Sequence, residues 1–169
     1  MGSTVLTATT AGALGIAGAW SDGENRGQVG ALVGASLLGY PLGLRYVRRA
    51  SYRVTAGDVS TVLTTGLVGA LASGALIPED PSQSVASALL TGGFLAGLAI
   101  GDRVIARPYD LTESDAFFVR VGTLAGALIG FAIPAALETD NSQVTIGFGS
   151  LGAIIGTAAT TAMVRGRKN

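Results

Sequence analysis

The sequence predicts an all-α protein: six apolar helices, forming three tandem hairpins of about 57 residues that pack as a membrane bundle. Three observations predict this. Polar clusters cut the 169-residue chain into six apolar segments, at 3–20, 29–46, 59–77, 84–101, 116–137 and 143–164. Each is long enough, at about 1.5 Å per residue, to approach the thickness of a bilayer's hydrocarbon core. The segments come in pairs that repeat, and most carry glycines four residues apart. None alternates apolar and polar residues with period two, so half-buried strands fit poorly.

The first segment, 3–20, follows Met1 and ends in "AGAW" (17–20), which looks like a small-residue cleavage site. Residues 1–10 contain no Lys or Arg, so the basic region of a signal peptide is missing. The repeat explains the stretch better: "STVLT" at 3–7 recurs at 60–64. The second segment, 29–46, carries Gly30, Gly34, Gly39 and Gly43, and Pro41 is expected to kink it. The third and fifth segments are each preceded by a matching motif, "YRVTAGD" (52–58) and "YDLTESD" (109–115). Thr55-x-x-Asp58 and Thr112-x-x-Asp115 read as helix N-caps, with the carboxylate at the positive end of the helix dipole. Gly69 of the third segment aligns with Gly126 of the fifth, and Ser73 with Gly130. The fourth segment contains "GGFLAGLAIG", with Gly93, Gly97 and Gly101 in one row. The end of the second segment, "GYPLGLRYVRRASY" (39–52), parallels that of the fourth, "GLAIGDRVIARPY" (97–109). The fifth holds Gly122, Gly126 and Gly130, with Pro134 late in it; the sixth holds Gly152 and Gly156, matching Gly93 and Gly97. The chain thus reads as one helical membrane domain, 1–169, of three repeats at 1–51, 52–108 and 109–169. The first repeat lacks its opening motif, because Met1 falls where that motif would end. The expectation is a piece of a longer array or a shortened first repeat.

Glycine costs about 1 kcal/mol against alanine in a helix interior. Lipid tails are as apolar as leucine, so helices in a bilayer associate by close packing, and small residues at i and i+4 let backbones approach. The glycine rows are therefore expected to be the helix contacts. Charge placement points the same way. The even connections and the C-terminus hold Arg45, Arg48, Arg49, Arg53, Arg103, Arg107, Arg165, Arg167 and Lys168. The odd connections hold Arg26 with Asp22, Glu24, Glu79, Asp80, Glu138 and Asp140. This is a positive-inside arrangement and puts both termini in the cytoplasm. A soluble Gly/Ala-packed helical solenoid is the main rival, because Thr, Ser and Gly dilute segments 3–20 and 143–164. Low-complexity disorder is opposed by 49% apolar content, and buried β-structure is a weaker rival still.

Little in the chain suggests chemistry. It has no Cys and no His, so disulfides, thiolate sites and the commonest general base are excluded. The net charge is zero, which gives no field for nucleic acid. Arg120 is the only charge in the interior of a segment, Arg45 standing at the end of the second, and a functional hypothesis on that ground; snorkelling, or pairing with Asp115, is the plainer reading. "GFGSLG" at 147–152 matches G-x-G-x-x-G, but no acidic residue follows about 20 positions later. Trp20, Tyr46, Tyr52 and Tyr109 fit interfacial anchors, and Tyr40 lies deeper. Thr64, Thr65, Thr91, Thr145 and Ser150 are the modest candidates for a polar path.

The tandem hairpins, "YxxTxxD" motifs and G-x-x-x-G spans resemble bacterial glycine-zipper repeat membrane proteins across nearly the whole chain. The resemblance implies no catalytic residue, cofactor or metal. The expected function is a structural or assembly role in the bilayer, as a homo-oligomer or a subunit of a larger membrane complex. A channel or transporter for a small solute or ion is the alternative, and a soluble repeat scaffold the second. The expected location is a bacterial inner membrane, with the outer membrane or cell envelope as alternatives.

Overall fold

The computed structural model describes residues 54–109 and 111–168. Segments 3–20 and 29–46, with Gly30, Gly34, Gly39, Gly43 and Arg26, lie outside them. The described residues form helices joined by short connections, with no strand among them. Helix α1 spans Ala56–Gly74 and α2 spans Gln83–Ile100. The α2 rod runs on through a π-helical turn, Gly101–Ala106, and a last α turn, Arg107–Tyr109. Helix α3 spans Glu113–Ala136 and α4 spans Ser142–Lys168.

Local sequence sets the helix starts. Thr55 and Thr112 are N-caps, and each forms a capping box with the Asp three residues on. The Thr hydroxyl accepts from the Asp N–H, and the carboxylate accepts from the Thr N–H. Ser82 caps α2 in the simpler way, accepting from Val85 N–H. Helix α3 stops at Glu138, which takes a left-handed φ of 51°. That conformation ends many helices and is usually supplied by glycine.

The fourth segment does not stop at 101, as its charges led us to expect. It continues to Tyr109 and leaves only 110–112 as a connection. The π turn explains the difference. Positions five apart lie about 140° apart around an α-helix, whereas a π turn bonds i to i+5. Arg107 N–H bonds to Asp102 O, and the two side chains are brought together with it. Arg107 Nε donates to Asp102 Oδ2 at 2.8 Å, and Nη2 lies 2.7 Å away. Pairing lets the charged stretch remain helical. Arg120 is consequently not the only charge within the helical rods: Asp102, Arg103 and Arg107 belong to one as well.

Helices α1 and α2 pack antiparallel, and so do α3 and α4. Helix α1 also packs on both α3 and α4. The starts of α1 and α3 and the ends of α2 and α4 therefore share one end of the bundle. The α1–α2 and α3–α4 connections share the other, where Gln143 Nε2 donates to Ile77 O at 2.7 Å.

The interior holds small and polar residues. Gly57, Asp58, Ser60, Thr61, Thr65, Ser73, Asp102, Thr123, Ser150 and Thr157 are buried. The large hydrophobics face outward, as with Leu128 at 70% exposure, Ile155 at 67% and Leu124 at 64%. One conventional cluster, of Ile105, Leu111 and Val164, sits at the end where α1 and α3 begin, with Tyr109 against it. Three stretches are long and apolar enough to cross a membrane: Ala88–Tyr109, Glu113–Ala136 and Ser142–Arg167. Helix α1 is not among them.

Candidate functional site

The glycines form the helix contacts. A Cβ on Gly69 would collide with Gly93 O and lie 3.0 Å from Gly97 Cα. A Cβ on Gly97 would collide with Thr65 O and lie 2.9 Å from Gly66 Cα. In the other pair a Cβ on Gly126 would collide with Gly152 O, and one on Gly156 with Gly122 O. Gly130 stands against the Phe148 carbonyl, Gly101 against the Thr65 side chain, and Gly122 against the Thr160 side chain. Gly93 meets Gly69 O and the Ser73 side chain, and Gly152 meets Gly126 O. So all eight predicted glycines within the described residues lie where a neighbouring helix leaves no room for a methyl group. Sequence reasoning did not name Thr65, Gly66, Gly149 and Thr160 as packing partners, since only contacts across the pair reveal that role.

The two helix starts are tied together as well as capped. Asp58 Oδ1 accepts from Leu111 N–H at 2.9 Å, while Oδ2 serves Thr55. Thr55 Oγ1 donates to Leu111 O at 2.6 Å. Gly57 makes the approach possible, because a Cβ there would strike the carbonyls of Leu111 and Thr112. Asp58 is buried with both carboxylate oxygens bonded. Asp115 closes the same box on Thr112 in a half-buried setting, and Arg120 lies on the exposed side of α3.

The hydroxyls singled out for a polar path mostly turn back onto their own helices. Thr64 donates to Ser60 O, Thr65 to Val62 O, Thr145 to Asn141 O and Ser150 to Ile146 O. Such bonds satisfy a hydroxyl in an apolar setting without a partner on another helix. Ser150 Oγ also reaches Leu71 O of α1 at 3.3 Å, and the Thr123 and Thr157 hydroxyls meet across α3 and α4 at 2.7 Å. Thr61 Oγ1 and Thr161 Oγ1 are buried without a partner.

A cleft of about 600 Å³ lies between α2 and α4, over α1. Thr65, Val68, Gly69 and Ala72 of α1 form its floor. Its walls are apolar until the end where α2 and α4 terminate. There Tyr109 faces Arg165, whose guanidinium carbon lies 5.7 Å from the ring centroid. Arg103, Arg107, Arg165 and Arg167 all lie at this end, whereas Glu79, Asp80, Glu138 and Asp140 lie at the other. Comparison of the chain with protein-family models, curated proteins and solved structures finds no match.

Proposed function

We propose that the chain is a non-catalytic integral membrane protein with a structural or assembly role, built from glycine-zipper hairpins. The observation behind this is the inverted distribution of side chains. Glycine, serine and threonine fill the helix contacts, and Leu, Ile and Phe cover the outside. Water would penalise that surface, since contiguous apolar patches on soluble monomers seldom exceed a few hundred Å². Lipid would not, and close backbone packing is how helices associate there. The arginines at one end match the positive-inside rule and put that end in the cytoplasm. An inner-membrane location follows from the same reading.

The repeat receives support from a compensating exchange. With offsets of 57 in the first helix and 59 in the second, Thr65 corresponds to Gly122 and Gly101 to Thr160. Thr65 packs on Gly101 in one pair, and Gly122 on Thr160 in the other. Each site holds one threonine and one glycine, swapped between the helices. Two copies of one hairpin, each keeping the contact volume constant, would produce this pattern. A channel or transporter has less behind it, since most of the candidate hydroxyls are engaged on their own helices.

Alkaline carbonate extraction tests the membrane reading. The full chain should remain in the membrane pellet, and release to the supernatant as a monodisperse species would favour the soluble scaffold. Single cysteines at Glu79 and Arg167 should label from opposite faces of intact vesicles. Labelling from one face would refute the orientation.

A further inference from the structure

We propose that the cleft between α1, α2 and α4 binds one anionic phospholipid, with its phosphate at Arg165 and Tyr109 and an acyl chain along the groove. This rests on the membrane reading above. Besides Thr157 and Thr161, the groove walls include Gly93, Ala96, Gly97, Ile100 and Val104 on one side and Ile154, Ala158 and Ala162 on the other. From Ile154 to Arg165 the α4 wall runs about 16 Å. An apolar groove facing lipid has no polar partners to hold water, and an acyl chain is the material at hand to fill it.

The mouth supplies the charge selection. Arg165 is exposed and makes two contacts, a 3.5 Å approach of Nη1 to Tyr109 Oη and the stacking on that ring. No carboxylate among the described residues pairs with it. An arginine with no carboxylate paired to it among the described residues, held by a ring at the end of an apolar groove, offers a planar donor fork to a phosphate. Arg167 lies two residues on, its guanidinium 5.0 Å from the Phe118 ring centroid. This end is the arginine-rich one, at headgroup level on the cytoplasmic side, where basic pockets between helices take anionic lipid heads.

The test uses the purified full chain in nanodiscs of phosphatidylcholine alone or with phosphatidylglycerol. Retained lipid is counted by native mass spectrometry after release. One phosphatidylglycerol should remain bound in preference to phosphatidylcholine. Arg165→Gln should reduce its retention about tenfold, the loss of one charge-assisted contact. Ala158→Leu should fill the groove and reduce retention with the charge intact. Arg103→Gln removes an exposed arginine at the same end that does not line the cleft, and should leave retention unchanged. Equal retention of both lipids, or no effect of Arg165→Gln, would overturn the proposal. So would glycerol phosphate competing as well as the whole lipid, since the groove would then contribute nothing. If Ala158→Leu fails to fold by circular dichroism, the Arg165→Gln result still decides. A chain that stays in the carbonate pellet but does not discriminate lipids sinks this site alone; a chain released to the supernatant sinks the membrane reading with it.

Discussion

Replacing Gly126 with alanine adds one methyl group inside the backbone-to-backbone contact of α3 and α4. That methyl would meet backbone: besides striking Gly152 O, it would lie 2.9 Å from the Gly152 carbonyl carbon and 3.1 Å from Gly156 Cα. Carbon atoms pack at about 3.5–4.0 Å. No side chain stands there to rotate away, so the helices must separate by several tenths of an ångström or more. A gap of about 0.5–1 Å forfeits a quarter to a half of each dispersion contact along the seam. Gly122, Gly130 and Gly156 share that seam and would lose contact together. Against this, alanine gains about 1 kcal/mol of helix propensity. Overpacking typically costs about 1–3 kcal/mol, and with backbone on both sides the expected net loss is about 1–2 kcal/mol. Gly92→Ala is the matched control, for a Cβ there meets nothing within 4 Å. It should be neutral or stabilise by up to about 1 kcal/mol. Chemical unfolding in detergent, followed by circular dichroism, separates the two. If Gly126→Ala proves as stable as Gly92→Ala, the glycines are not the contact and the packing argument fails.

Three further substitutions test other parts of the fold by the same measurement. Thr61 is fully buried with an unpartnered hydroxyl, so Thr61→Val should stabilise by about 1 kcal/mol; destabilisation would mean that something bonds that oxygen. Glu138→Gly should relieve the left-handed φ at the end of α3 and stabilise by up to about 1 kcal/mol; no gain would mean the Glu138 side chain compensates. Asp58→Asn leaves one acceptor oxygen for both Thr55 N–H and Leu111 N–H and should cost about 1–3 kcal/mol, more than Asp115→Asn, which loosens the capping box at Thr112. Equal losses would deny the tie between the two helix starts a role in stability.

Some of this was legible in the sequence for physical reasons. A capping box is local: Thr55 and Asp58 name both partners within four residues, so the starts of α1 and α3 could be read directly. A glycine row is also local, so Gly122, Gly126 and Gly130 could be named from the sequence alone. The path of α2 beyond Ile100 was not legible, because a charged pair five apart reads as a helix end unless the π turn that aligns it is known. The Asp58–Leu111 bond joins positions 53 apart, and nothing in either motif names the other. The cleft is further still from the sequence. It lies between α2 and α4, over α1, and its lining residues look individually like ordinary zipper and span positions.

The same inversion that underlies the proposed membrane setting also decides what can bind to the molecule. When glycine and threonine occupy the helix contacts, the contacts are thin and the helices cannot part slightly without losing them along their whole length. Wherever two helices are not held by such a seam, the small residues leave a real gap in place of interdigitating leucines. Helices α2 and α4 are that case, each fastened to its own partner and neither to the other. The floor of their gap is α1, the one described helix not apolar enough to count as a span. A floor of Thr65, Val68, Gly69 and Ala72 has no bulk with which to fill the space. The groove is thus a consequence of packing through small residues, and Arg165 stands at its end.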